Sequence, residues 1–393
     1  MIRNSFNKDS RAKTPRRKVT GQAPSSRMNV RDLRKISPFG RNDNAPPWRA
    51  LRLCASYFFG NTVSRMQTEN LKFLCFVLCI LFPAAGFSAP ATTSMRLLYP
   101  SFAGSWATAW IAKEAGYFSA EGLDVELIRV GGSTRMVAAM LGGSAPIIQA
   151  GAVAALAATA AGSDVVIIGA TGTVSPFRLM VRPEIKQPSD LKGKKAGITT
   201  FGSTSDQVVR IALKQFNLEP NKDVALLTFG AQPEAFAALH NGLVQAAALS
   251  YPLYPKAAKL GMRELVNFAD LGVEDINGTV ITTRSFIAQH RDTALRFLRA
   301  FTRGMHRYRT DKEFSKKILG KYGKINDEEI LEGTWQDYAP TLQKSPRPSL
   351  KAIQFMIENQ FPGKKPLPKP EQFVDTSLVE QLEKSGFIDS VSK

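Results

Sequence analysis

Downstream of residue 92, short apolar runs of four to eight residues alternate with longer amphipathic or Ala-rich stretches. The short runs read as buried strands and the longer ones as helices. Strands are predicted at 95–99, 123–130, 146–149, 165–170, 177–181, 195–198, 224–228, 244–249, 265–268 and 279–283. Helices are predicted at 106–118, from 131–134 through 141, at 152–161, from about 206 through 217, and at 233–240. After residue 283 the pattern is helical throughout, with segments 291–309, 313–322, 327–338, 349–359 and 370–384. Regular strand–helix alternation argues an α/β fold with mostly parallel sheets flanked by helices. Two such cycles of similar size argue two lobes with a ligand cleft between them. No internal repeat or long linker interrupts the pattern.

A different apolar run changes where the functional protein is expected to begin. Residues 71–82 (LKFLCFVLCILF) are followed by Pro83-Ala84-Ala85-Gly86 and then Ala89-Pro90-Ala91. A short apolar core, a helix breaker and small residues spaced Ala-x-Ala form a secretory signal. The run is too short to span a bilayer, which takes about 20 apolar residues. Counted from Met66, residues 66–91 form a signal peptide cut near Ala91, and the exported chain is expected to reside in the periplasm. Residues 1–65 hold 15 Lys/Arg against Asp9, Asp32 and Asp43 and lack periodic apolar positions. They read as a disordered basic leader or as a stretch upstream of the true start, because such a composition buries no core. A nucleic-acid-binding arm ahead of a cleaved export signal would have no task, so no nucleic acid is expected as a partner.

Residues 92–393 carry 36 basic and 29 acidic side chains, a net charge of only +7. Cys54, Cys75 and Cys79 all precede the cut, which excludes disulfides and thiol chemistry from the exported chain. His240, His290 and His306 are the only histidines, none with a second ligand at metal-binding spacing. No P-loop, Gly-x-Ser-x-Gly elbow or dinucleotide fingerprint is present, so neither a metal nor another cofactor is expected. Asp206 and Glu234 fall in predicted first helical turns, where an acid stabilises the helix dipole. Binding without turnover fits this inventory better than catalysis.

Polar loops recur where predicted strands end and helices begin, the place where open α/β sheets hold ligands. Four stand out: Ser101-Phe102-Ala103-Gly104-Ser105, Gly131-Gly132-Ser133-Thr134, Gly172-Thr173, and 199–205 with Thr200, Ser203 and Thr204. Each offers hydroxyls, close backbone approach and unpaired N–H donors. Each is equally explained as a plain helix cap, worth about 1 kcal/mol. Trp106, Phe102 and Tyr251 could stack on a ligand or pack in the core.

The strings FAGSWATAWIAKEAGYFSAEGLDVELIRVGGSTRMVAAMLGG (102–143), DLKGKKAGITTFGSTSD (190–206) and ALHNGLVQAAALSYP (238–252) carry a resemblance. Over about residues 95–340 the chain resembles the periplasmic substrate-binding proteins of ABC importers in the SsuA-like group, which serve sulfonates, nitrate, bicarbonate and thiamine-pyrimidine precursors. The resemblance implies a two-lobed type II binding-protein fold, with lobe one at 92–177 plus 284–393 and lobe two at 178–283. It maps ligand contacts onto Ser101, Gly104, Ser105, Gly132, Ser133, Gly172, Thr173, Thr200, Ser203 and Thr204, with Gln149, Gln232 and Tyr251 as secondary positions. It further implies a small-molecule solute and an inner-membrane ABC permease as partners, for a protein acting as a monomer. The near absence of acids from the candidate loops points to an anionic or neutral solute. A sensor module on the same fold is the alternative, as is a pyrimidine synthase like that of a similar fungal branch. That branch uses cysteine and histidine, and the exported chain has no cysteine. The helical tail after residue 283 is expected to brace lobe one.

Overall fold

The fully apolar run Val165–Gly169 and the buried Ile147–Ala150 are strands of a sheet covered on both faces, the arrangement that allows strands without polar alternation. The computed structural model describes residues 92–392; the expected leader 1–65 and export signal 66–91 lie outside them. Twelve strands are present among the described residues: β1 (Thr93–Tyr99), β2 (Leu123–Arg129), β3 (Ile147–Ala150), β4 (Val165–Gly169), β5 (Gly172–Val174), β6 (Phe177–Val181), β7 (Lys194–Ile198), β8 (Val224–Thr228), β9 (Ala246–Ser250), β10 (Arg263–Asn267), β11 (Glu274–Asn277) and β12 (Thr279–Thr283). They form one sheet ordered β2-β1-β3-β12-β4, a second ordered β10-β6-β9-β7-β8, and a two-stranded ribbon of β5 with β11.

The sheets are mixed, where the sequence pattern predicts a mostly parallel arrangement. β1 runs parallel to β2 and β3, and β7 parallel to β8 and β9. β12 is antiparallel to both β3 and β4, and β6 to both β9 and β10. The two reversed strands are those by which the chain enters a sheet after crossing from the other, so direction is set by the crossing and not by local sequence. β12 pairs in the first sheet, although the sequence assigns 279–283 to the second lobe. The lobe division by sheets therefore falls within the 172–177 and 274–279 crossings.

Side chains along the first-sheet strands alternate between two covered faces. Leu97, Ile147, Val166 and Ile168 face Phe297, Leu298 and Phe301 of the long helix Arg284–Thr310. Their neighbours Leu98, Ile148, Val165 and Ile167 face Leu156, Met136, Met140 and Ile353. The second sheet is covered by Val208, Val209 and Leu213 on one side, and by Ala238, Leu239 and Ala257 on the other. A separate cluster of Tyr99, Trp110, Tyr308, Leu331 and Tyr338 ties the tail to the first lobe.

Boundaries shift where turn chemistry overrides periodicity. The predicted helix 106–118 is a 3-10 turn Gly104–Trp106 followed by Ala107–Glu114, then interrupted at Gly116, whose φ of 72° glycine alone adopts freely. Arg284–Thr310 bends at His290 (φ −134°, ψ 38°), next to the predicted start at 291. The predicted 370–384 helix is a 3-10 turn Pro370–Phe373 and a helix Ser377–Lys384. β5, β11 and the helix Leu253–Lys259 carry no periodicity and are visible only in the fold.

The tail does more than brace lobe one. Tyr254 Oη donates to Asp337 Oδ1 at 2.8 Å, Lys259 pairs with Glu329 at 2.7 Å, Tyr338 Oη donates to the Tyr251 carbonyl at 3.2 Å, and Gln207 Nε2 donates to the Met356 carbonyl at 3.2 Å. Each joins the tail to the second lobe.

Gly304 lies in the middle of Arg284–Thr310, where glycine ordinarily costs a helix about 1 kcal/mol relative to alanine. A β-carbon there would stand 2.6 Å from the Thr108 carbonyl oxygen and 2.9 Å from Ala112 Cβ. Gly304→Ala is therefore expected to reverse the usual sign and destabilise by about 1–3 kcal/mol, read as a lowered urea midpoint with unchanged slope.

Candidate ligand-binding cleft

Four helices of nine residues or more begin on the gap between the two sheets: Ser133–Leu141 and Ala152–Ala160 from the first lobe, Thr204–Gln215 and Gln232–His240 from the second. Their starts, with Ser101, Ser105 and Trp106, line a cleft of about 580 Å3 of empty space, its open mouth included. Each start exposes backbone N–H groups that have no intrahelical partner and carries partial positive charge. No Lys or Arg is among the residues lining the cleft. Any negative charge held there is thus held by amides and hydroxyls.

The hydroxyls divide by how much of their capacity is already used. Ser203 Oγ donates to the Thr200 carbonyl at 2.7 Å and receives Thr199 Oγ1 at 2.9 Å, while capping its helix by accepting from Asp206 N–H at 3.4 Å. Asp206 accepts from Gly202 N–H at 2.9 Å and from Arg210 Nε at 2.7 Å. The 199–206 loop is thereby fixed from within, and Ser203 shapes it while its own proton is spent. Ser133 Oγ accepts from Gly151 N–H at 2.9 Å and Ser101 Oγ from Ala103 N–H at 3.3 Å, so both keep their own proton to donate. Gln232 Oε1 accepts from Ser250 N–H at 2.8 Å and Ser250 Oγ at 2.9 Å, which leaves the Nε2 hydrogens for another acceptor.

The sequence candidates separate into two groups. Ser101, Ser105, Trp106, Gly132, Ser133, Ser203, Thr204 and Gln232 converge on the cleft wall. Gly104, Gln149, Gly172, Thr173, Thr200 and Tyr251 do not line it. Gly104 is where Tyr338 and Thr334 of the tail press on the backbone. Gln149 is fully buried within the first sheet, both amide atoms without a partner. Gly172 is packed beneath the Thr341 carbonyl, and Thr173 lies beside it on β5. Tyr251 lines an adjoining recess with Phe102, Leu253, Lys256 and Ile325. Thr200 meets Gly132 across the gap.

That contact is one of several that draw the lobes together. A β-carbon on Gly132 would stand 2.7 Å from Thr200 Cγ2, and one on Gly131 3.1 Å from the Gly230 carbonyl oxygen. One on Gly151 would collide with Thr204 Oγ1. Thr134 Oγ1 donates across to the Phe201 carbonyl at 3.1 Å. The approach is backbone to backbone at Gly131 and backbone to threonine side chain at Gly132 and Gly151, spacings that a β-carbon would oppose.

One functional group escaped the sequence. Asp275, on β11, lines the cleft at 3 % exposure and is the only titratable side chain on its wall. Within VEDING it reads as a surface turn, and β11 has no periodicity to reveal it. Burial pushes its carboxyl up to about 7, partly countered by a hydrogen bond from the Ile276 N–H.

Two outcomes follow. A folded-state pKa above the unfolded value means the native protein holds the extra proton between about pH 4 and 7, so stability is present in acid and falls as pH rises through that window. Asp275→Asn is expected to flatten this slope in urea titrations of the unliganded protein. Gly151→Ala, at a backbone conformation alanine accepts (φ −69°, ψ 136°), is expected to hold the lobes apart. It should weaken ligand binding about tenfold or more, about 1.4 kcal/mol, and enlarge the radius of gyration of the liganded protein in X-ray scattering.

Comparison with known proteins agrees with this architecture. The family model described as NMT1/THI5 like matches residues 105–312, more than half of the chain. YtlA of Bacillus subtilis (strain 168), named as a candidate binding protein, is 24% identical over 291 residues, covering 70% of this chain and 86% of its own. The alkanesulfonate-binding protein SsuA of Xanthomonas axonopodis pv. citri, solved bound to MOPS, superposes with a TM-score of 0.60 at 20% identity, over 72% of this chain and 96% of its own. The periplasmic aliphatic sulphonate binding protein SsuA of Escherichia coli gives 0.57 at 21%, over 73% and 93%. The desulfurization enzyme DSZB shares the fold at 0.52 and 14%, over 75% and 99%, so the architecture alone does not separate binding from catalysis. By the family match, the mixed sheets and the crossed-over lobes, the chain belongs to the NMT1/THI5-like family and has the two-lobed periplasmic-binding-protein fold of the SsuA-like substrate-binding proteins.

Proposed function

We propose that the protein is the solute-binding component of an ABC import system, acting as a monomer in the periplasm. It captures a small anionic or neutral organic solute by closing its lobes and delivers it to an inner-membrane permease. The observation that carries this reading is the cleft itself, in which helix starts from both lobes surround a space lined by Ser, Thr and Gly together with Trp106, Phe177 and Asp275. A ligand that touches both lobes stabilises the closed state by its differential affinity, which is how binding becomes a signal to a partner. The division of labour between a lobe of 92–177 with the tail and a lobe of 178–283, adjusted for β12, supports a hinge at the β5–β11 ribbon. Sulfonates, carboxylates and thiamine pyrimidine precursors all present the oxygen or nitrogen acceptors that N–H donors and hydroxyls recognise.

The lining residues include neither cysteine nor histidine, and no group of three or more His, Cys, Asp or Glu suited to a metal occurs among the described residues. These support capture over turnover. No helix among the described residues is long and apolar enough to cross a membrane.

The test is thermal unfolding of the purified protein with sulfonates, carboxylates and pyrimidine precursors. A true ligand at 100 times its Kd adds about 2.7 kcal/mol of stability, a clear rise in Tm. Absence of a shift with every member of the panel, or release of a chemically altered product, overturns the reading.

A further inference from the structure

We propose that Asp275 selects the solute by accepting a hydrogen bond from a nitrogen donor on it, so that the cleft takes a molecule with an N–H or ammonium end and an oxygen-bearing acceptor end. This rests on the solute-binding reading and narrows its ligand class.

The argument begins with what Asp275 lacks. Only the N–H of its own neighbour Ile276 donates to it, to Oδ1 at 2.8 Å, and no protein donor reaches Oδ2 among the described residues. An ionised carboxylate has about four acceptor sites, and a buried one left mostly unfilled is costly. No basic side chain shares the wall to offset its charge. Asp275 lines the cleft, so a donor on a bound solute would fill the remaining acceptor sites.

The surroundings decide the chemistry of that partner. The four helix starts favour an oxyanion, and a carboxylate on the same wall repels one unless the solute also brings a donor or positive charge of its own. A molecule with both ends satisfies both features at once. Its acceptor end meets the helix starts with the free protons of Ser101 and Ser133, and its nitrogen end meets Asp275. A purely local role does not account for the residue. The single backbone contact at Ile276 could be made by Asn or Ser without placing a titratable group at 3 % exposure, where burial raises the carboxyl to about 7 despite that contact. The location adds a consequence. Asp275 sits on β11, one of the two strands that join the lobes, and Asn277 two residues on is bonded across the ribbon to Val174. A ligand nitrogen held here anchors the solute at the hinge end of the cleft.

The test uses matched probes that differ by one amino group: ethanesulfonate with 2-aminoethanesulfonate, propionate with 3-aminopropionate, and 4-amino-5-hydroxymethyl-2-methylpyrimidine with its deaminated counterpart. Calorimetric titration of the native protein is expected to show at least one amino member binding about tenfold or more tighter than its partner. Asp275→Leu, which removes every acceptor at similar volume, should erase that margin, with the deaminated member bound at least as tightly as by the native protein. Asp275→Asn keeps one acceptor oxygen without the charge and should narrow the margin, which keeps the test open if the Leu variant does not fold. Deaminated members binding as well as amino members, or an equal loss for both in the variants, overturns the role of Asp275 while leaving solute binding intact. No binding by any of the six probes removes both the inference and the sulfonate, carboxylate and pyrimidine reading beneath it.

Discussion

Two passes of the chain between the sheets, hydrogen-bonded to one another as β5 and β11, are the constraint on which the rest of the molecule depends. Thr171 N–H donates to the Asn277 carbonyl at 2.7 Å, and the Asn277 side chain donates to the Val174 carbonyl. Because the crossings pair, the sheets are joined at one edge of the cleft. The same geometry reverses β6 and β12 within their sheets and aims the loops at the carboxyl ends of the parallel strands toward the gap. The tail loop locks the ribbon from behind, with Gln343 N–H donating to Thr171 and Ala170 N–H to Pro346.

Within that frame the cleft works by fixed dipoles. Helix starts, serine hydroxyls and the Gln232 amide are held in place by bonds to their own loops, so no long side chain has to be immobilised when a solute arrives. Such preorganisation lowers the entropic cost of binding. The absence of Lys and Arg from the wall makes Asp275 conspicuous: a single buried carboxyl among donors sets the electrostatic character of the site. The close approach of the lobes depends on glycine. At Gly131, Gly132 and Gly151 the opposing lobe arrives at a distance that any β-carbon would oppose.

The tail contributes to the same equilibrium. Asp337, raised by burial and held by the Tyr254 hydroxyl, lies on the helix Glu328–Tyr338, which belongs with the first lobe through Tyr338 and Leu331. Its contacts to Tyr251 and Tyr254 join this helix to the second lobe. In the closure proposed above, these contacts and those across the cleft would form together.

The sequence by itself determined the element types, the two-cycle α/β organisation and the family. Those rest on local signals: apolar runs such as 165–169, caps such as Ser203, and the strings around Gly131-Gly132 and 199–205. Three of the four polar loops it singled out, 101–105, 131–134 and 199–205, reach the gap between the sheets, because helix starts after strands are legible in one dimension. Tertiary structure decided which members of each loop face that gap. Gly104 and Gly172 turned out to serve close packing with the tail, and Gln149 points into the first lobe, since a residue's facing depends on sheet pairing and not on its own identity. It alone revealed β5, β11 and Asp275, since strands of three or four residues have too few positions to show a period, and a carboxyl in a turn-like segment becomes part of a binding wall only when two distant crossings pair.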